Sequence, residues 1–349
     1  MHVTLALPTV EPLVGVGDRD LYDSCIVDLV AASGGLKSHD KTLHCAELTI
    51  AHSEQASEHP LVKDRWRQRK SQREFGLLVV SADLSAFARE FRGELTADGR
   101  SRTETEISAL IESCGTQNLI FEINNLLLLA NVLRPGALTV ITGFAFANDA
   151  CVGETPAFFA EDWYRATQAS KKYGWPPLRA LSIVRAWSWL ASTRCIDAGI
   201  ARHPVGRALA ALSYAAPGSV DSESSLNLAW VLLGLEALYC TGNVGLREQL
   251  VAKSELVLGP RVENKKAFGA MYDFRSRLLH GDMDLPLRYS AFDAVPDFER
   301  HYDDLGDYEG LGLAALIGTL QVMIKNDWRE LAFHYGLNGL PVSPAQPAA

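Results

Sequence analysis

Trp175-Pro176-Pro177 divides the chain into two different patterns. Before it, runs rich in β-branched residues alternate with helical ones. After it, strand signals stop and segments with a helix period follow one another. Proline lacks an N–H and biases the residue before it away from helix, so neither a helix nor a sheet ladder runs easily through the pair. With 349 residues there is room for two domains. The expected organisation is a mainly α chain: a mixed α+β N-terminal domain over residues 1–175, an all-α helical bundle over 176–338, and a disordered tail over 339–349.

In the first part, residues 1 to about 60 carry weak signals, with a strand expected in 43–52. GLLVVSADL (76–84) predicts a buried strand and SAFAREFRGEL (85–95) a short amphipathic helix. Thr103 followed by Glu106 has the spacing of a capping box and opens a helix over 103–114. The long Leu-rich segment 117–133 predicts a buried helix. ALTVITGFAFA (137–147) predicts a strand, and 154–174 another helix stopped by the prolines.

Beyond the prolines, helices are expected over 178–192, 203–216, 225–242, 246–259 and 264–281. An irregular acidic stretch (282–307) then leads to a long helix or kinked pair over 308–336. No apolar run approaches the roughly 20 residues a membrane helix needs, and the N-terminus lacks the basic start of a signal peptide. Six scattered cysteines without a CxxC fit reduced thiols, so a cytoplasmic protein with no membrane partner is expected.

The net charge of −9 excludes nucleic-acid binding by bulk attraction and requires a local basic patch for it. PLVKDRWRQRKSQRE (60–74) is the densest basic segment. Arg65, Arg67, Arg69 and Lys70 could grip phosphates while Trp66 stacks on a base. A solvated helix face, or a loop balancing acidic neighbours, accounts for the same run more simply. His39, His44, Cys45, His52 and His59 match no zinc spacing, and no phosphate-cradling glycine motif occurs, so neither a metal nor a cofactor is expected.

MYDFRSRLLHGD (271–282) sets Arg275 and His280 on an otherwise apolar helix, with Gly281 as its stop. Residues five apart on a helix differ by about 140° in direction, so the two do not share a stripe but can border one groove. An imidazole can take the proton of a ribose 2′-OH or give one to the leaving 5′-oxygen. A guanidinium suits the phosphate oxygens whose charge grows in the transition state. Together these parts suffice for RNA cleavage by internal transesterification. DNA lacks the 2′-OH and is not an expected substrate. Read alone, Arg275 is a structural ion-pair residue and His280 a helix C-terminal cap. Glu236 lies inside the apolar helix of Leu232, Leu233, Leu235 and Leu238, where a bare carboxylate is costly to bury. It either orients Arg275 or acts in the site itself, or else it sits on the helix's one wet edge or pairs with Arg247. Asn227 and Tyr272 are weaker candidates and read as structural.

The order of three blocks adds a further reading. An apolar helix ending in LEALY (235–239), the segment LREQLVAKSELVLG (246–259), and YDFRSRLLHG (272–281) resemble, in that order, the Apea-like branch of the HEPN domain family. The resemblance runs from about Leu178 to Gly336 and leaves the first 175 residues outside it. It implies a HEPN-type helical bundle and a metal-independent endoribonuclease of the toxin or antiphage-defence kind. It also implies a homodimer with a composite site, and Arg275, His280, Ser276 and Glu236 as site residues. The alternative it leaves open is a non-catalytic dimerisation or RNA-binding module. Ser276 stands where active members often carry Asn, Asp or His. Asp282 stands where some toxins carry a modifiable Tyr.

Overall fold

The computed structural model describes residues 1–10, 18–39, 43, 46–63, 76–140, 142–197, 199–215, 225–242, 244–261, 266–283 and 296–333. An antiparallel sheet lies in the N-terminal part and helices make up the C-terminal part. The N-terminal elements are β1 (His2–Val10), α1 (Asp18–Ala31), β2 (Leu36–Lys37), β3 (Glu47–Ser53), β4 (Gly76–Asp83), α2 (Ser85–Ala97), α3 (Glu104–Leu133), β5 (Thr139–Val140), β6 (Gly143–Ala147) and β7 (Ala150–Thr155). The sheet runs β2-β3-β4-β1-β6-β7, with β5 paired to the end of β1.

Its central strand, β1, falls in the stretch that carried weak signals. Val3, Leu5 and Leu7 alternate onto the main core, and Ala6 belongs to a small cluster with Leu77, Phe144, Phe146, Ala56 and Val62. Pro8, which cannot donate to a ladder, counts against a central strand. It is accommodated where β1 passes from β6, which pairs with Val3 to Ala6, to β5, which pairs with Thr9 and Val10.

The two helical segments expected over 103–114 and 117–133 form one helix, α3, about 45 Å long. Its start is the expected capping box. Thr103 Oγ1 accepts from the Glu106 N–H at 3.3 Å, and the Glu106 carboxylate accepts from the Thr103 N–H at 2.7 Å. From Leu126 to Leu133 every side chain is buried, because α3 has the sheet on one side and helices on the other.

Residues 154–163 depart from the expected helix. β7 continues to Thr155, and Phe158 exchanges both backbone hydrogen bonds with Val140. Pairing with the sheet edge outweighs local propensity there, and the helix is confined to α4 (Tyr164–Tyr173).

The remaining elements are α5 (Ile183–Thr193), the small hairpin β8 (Ile196–Asp197) and β9 (Ile200–Ala201), α6 (His203–Tyr214), α7 (Ser225–Tyr239), α8 (Leu246–Leu258), α9 (Ala267–His280) and α10 (Pro296–Asn326). The hairpin corrects the expectation of helix alone after the prolines; strands of two residues are too short to show a period. The acidic stretch is corrected too. Helix begins at Pro296, whose missing N–H is harmless in a first turn, and it ends at Asn326 instead of 336. α10 runs through the middle of the bundle, with Leu311, Leu313 to Ile317, Leu320, Met323 and Ile324 buried. Gly312 and Gly234 let α10 and α7 approach closely. A Cβ at Gly312 would meet Val231 at 2.8 Å, and one at Gly234 would meet Leu316 at 2.8 Å.

Apolar packing is continuous from Val3 in the sheet to Ile324 in α10. Polar links cross the same boundary. Gln321 donates to the Val132 carbonyl at 2.8 Å and Trp187 to the Lys37 carbonyl at 2.8 Å. Among the described residues no helix is long and apolar enough to cross a membrane.

Candidate functional site

α9 is positioned by its apolar face. Phe268, Met271, Phe274 and Leu278 are buried against the bundle, at the spacing of a helix with one wet side. It stops where expected. Gly281 takes a left-handed conformation (φ 77°), and the Gly281 and Asp282 amides both turn back to the Arg277 carbonyl. That stop leaves His280 as the last helical residue, exposed to solvent.

Arg275, a turn and a half earlier, is held instead in a half-buried position between α9 and α7. Its side chain is 20% exposed and that of Glu236, on α7, is 16% exposed. Arg275 Nη1 lies 3.8 Å from Glu236 Oε1, near enough for attraction but beyond hydrogen-bond reach. Arg275 Nε is buried without a hydrogen-bond partner among the described residues. The guanidinium carbon lies 6.0 Å from the centre of the Tyr272 ring. Tyr272 donates its O–H to Glu236 Oε1 at 3.0 Å.

The electrostatics follow from this half-buried carboxylate. Burial, then the Glu236 charge and the bond to it, push the Tyr272 phenol up to about 12, so it remains a donor at any ordinary pH. Burial and the same carboxylate push the Cys240 thiol, just past the end of α7, up to about 11. Cys240 is accordingly a neutral thiol and no ready nucleophile.

The site residues expected from sequence are therefore placed unequally. Glu236 and Arg275 come together. Arg247 is engaged elsewhere, 3.0 Å from Asp273, and is not the partner of Glu236. Ser276 is half-buried on α9. His280 stands apart on the exposed end of the same helix. Asn227 is drawn into a different cluster, donating to the buried Glu309 at 2.9 Å. Arg65, Trp66, Arg67, Arg69 and Lys70 lie outside the described residues. Tyr272 is the residue that sequence reasoning undervalued. Its signal was present: it precedes Arg275 by three, which puts both on one side of a helix.

Of the cluster noted earlier, His44 and Cys45 lie outside the described residues, and His39 and His52 have different partners. His39 stacks on Trp187 at 4.0 Å, and burial lowers its imidazole to about 4. His52 bonds the Tyr22 hydroxyl at 3.2 Å. Among the described residues no group of three or more His, Cys, Asp or Glu side chains is placed to hold a metal.

The chain matches no family model, no curated protein and no solved structure.

Proposed function

We propose that α7 and α9 carry half of a metal-independent endoribonuclease site, of the kind used by toxins and antiphage-defence effectors. The observation that carries this reading is the state of Arg275. It is a guanidinium held beside Glu236 and Tyr272 whose Nη groups make no hydrogen bond among the described residues, on the same helix as an exposed imidazole. A phosphate oxygen between the two would take up those donors. In the reaction, the ribose 2′-oxygen forms a bond to phosphorus and the 5′-oxygen leaves, giving a 2′,3′-cyclic phosphate. One proton must leave the 2′-OH and one must reach the 5′-oxygen. A single imidazole cannot do both in one step. A second copy of the chain would supply the second imidazole, so the active form is proposed to be a homodimer.

The half-buried position of the ion pair favours a second reading, in which Arg275 and Glu236 merely clamp α9 to α7 and the bundle serves for dimerisation or RNA binding. Cleavage of single-stranded RNA by the purified protein decides between them. Arg275→Ala and His280→Ala are each expected to reduce cleavage at least about 100-fold, the range lost with a general acid–base or charge-stabilising group. EDTA is expected to leave it unchanged. Equal activity in wild type and both variants rejects the nuclease.

A further inference from the structure

We propose that Tyr272 is a positioning residue for Arg275, acting through Glu236; this rests on the ribonuclease reading above. Three observations carry it. First, a single oxygen, Glu236 Oε1, both accepts the Tyr272 O–H at 3.0 Å and faces Arg275 Nη1 at 3.8 Å. Second, Arg275 lies beside the Tyr272 ring, with Cζ 6.0 Å from the ring centre, so one side chain bonds one member of the ion pair and neighbours the other. Third, Arg247, the partner that the sequence offered for Glu236, lies 3.0 Å from Asp273 instead and does not compete for it.

The physical consequence concerns what Glu236 would do without the phenol. A half-buried carboxylate and guanidinium attract strongly, and their preferred geometry is bidentate at hydrogen-bond distance. A closed pair would use the donors that a phosphate needs. The Tyr272 hydroxyl gives the carboxylate a competing bond and holds it short of Arg275. Burial keeps that phenol protonated up to about 12, so the restraint persists across the working pH range. Tyr272 would thus touch no reacting atom. It would set how far the guanidinium is free to turn toward the phosphate as charge develops there, a contribution felt in kcat more than in KM.

The test is steady-state cleavage of one single-stranded RNA by the full chain and by Tyr272→Phe, Glu236→Gln and the double variant, with Arg275→Ala and His280→Ala alongside. Tyr272→Phe keeps the ring and its packing and removes only the hydroxyl. It is expected to lower kcat about ten-fold with KM within about two-fold, the pattern of a contact made in the transition state. Glu236→Gln is expected to lower kcat as well, and adding Tyr272→Phe to it should cost little more, because the phenol acts through the carboxylate. Wild-type kcat in Tyr272→Phe, or losses that simply multiply in the double variant, would overturn the proposal while Arg275→Ala and His280→Ala remain inactive. Glu236→Gln leaves the ring untouched. It keeps the question open to measurement if Tyr272→Phe folds poorly, and full activity in it also overturns the proposal. If Arg275→Ala and His280→Ala cleave as wild type does, the nuclease reading and the role of Tyr272 fail together.

Discussion

At the scale of single residues, a buried arginine elsewhere in the chain shows what a structural guanidinium looks like. Arg261 is buried between Trp175 and Phe268, with Cζ 4.8 and 4.9 Å from the two ring centres. It donates to the Val251 carbonyl at 2.6 Å and to Ser254 Oγ at 3.1 Å, and lies 3.2 Å from Glu255. Both Nη groups are spent on fixed acceptors and only Nε lacks one, as it does in Arg275, whereas the Nη groups of Arg275 make no hydrogen bond to any described residue. Arg261→Ala would leave a carbonyl and a carboxylate short of a partner and two aromatic faces uncovered. The expected loss is about 3 kcal/mol of folding stability, read from urea denaturation. Arg261→Lys should recover less than half of it, because an ammonium cannot fork to two acceptors or lie flat between rings. Full recovery by Lys would mean that charge alone matters at this position.

At the scale of elements, α4, α7 and α10 meet at a buried polar cluster. Glu309 on α10 is 4% exposed; it accepts from Asn227 on α7 at 2.9 Å and from Arg165 on α4 at 3.2 Å. Asp162, 3.6 Å from Arg165, also faces it across the turn before α4. Burial is the dominant influence and raises the Glu309 carboxyl from 4.5 to about 7, against the opposing pull of Arg165 and the Asn227 bond. A raised carboxyl keeps its proton in the folded chain over a pH range where the unfolded chain has released it. Stability is therefore highest below about pH 4.5 as far as this group is concerned, and it falls as pH rises toward 7. The full effect is on the order of 3 kcal/mol. Glu309→Gln should flatten that part of the stability profile between pH 5 and 7; an unchanged slope would assign the dependence to other groups.

Legibility also varied by element. The capping box at Thr103 and the Gly281 stop were readable because each rests on contacts within a few residues, and the strand at 76–83 because its apolar run is continuous and bounded by Gly76 and Asp83. β1 was not readable, since Pro8 argues locally against the strand that long-range pairing to β4 and β6 creates. The start of α10 was missed for a similar reason. Its acidic, glycine-containing first half looks irregular until α4 is packed on it, where a Cβ at Gly310 would meet the Arg165 carbonyl at 2.8 Å. Of the site, the helix carrying Arg275 and His280 was visible. The joining of Tyr272 to Glu236 was not, because it spans 36 residues and two helices.

At the scale of the whole molecule, the question is whether the sheet and the helical bundle act as separate bodies. The chemistry proposed for α7 and α9 needs no help from the sheet, which by itself would allow loose coupling. Packing argues the other way. The C-terminal half of α3 is buried on all sides, with the sheet against one face and α5, α6 and α10 against another. Separating the two parts would expose that apolar surface, and each Leu there is worth roughly 1.5–3 kcal/mol of burial. It would also break the bonds from Gln321 to Val132 and from Trp187 to Lys37. The chain is therefore expected to unfold in one cooperative step despite its two architectures. Tryptophan fluorescence weights the helical part, where Trp163, Trp175, Trp187 and Trp189 are buried. Amide exchange in β1, β4 and β6 reports on the sheet. Coincident urea midpoints for the two probes would mean that the sheet and the helices share one core. Midpoints separated by more than experimental error would mean that α3 belongs to one part alone.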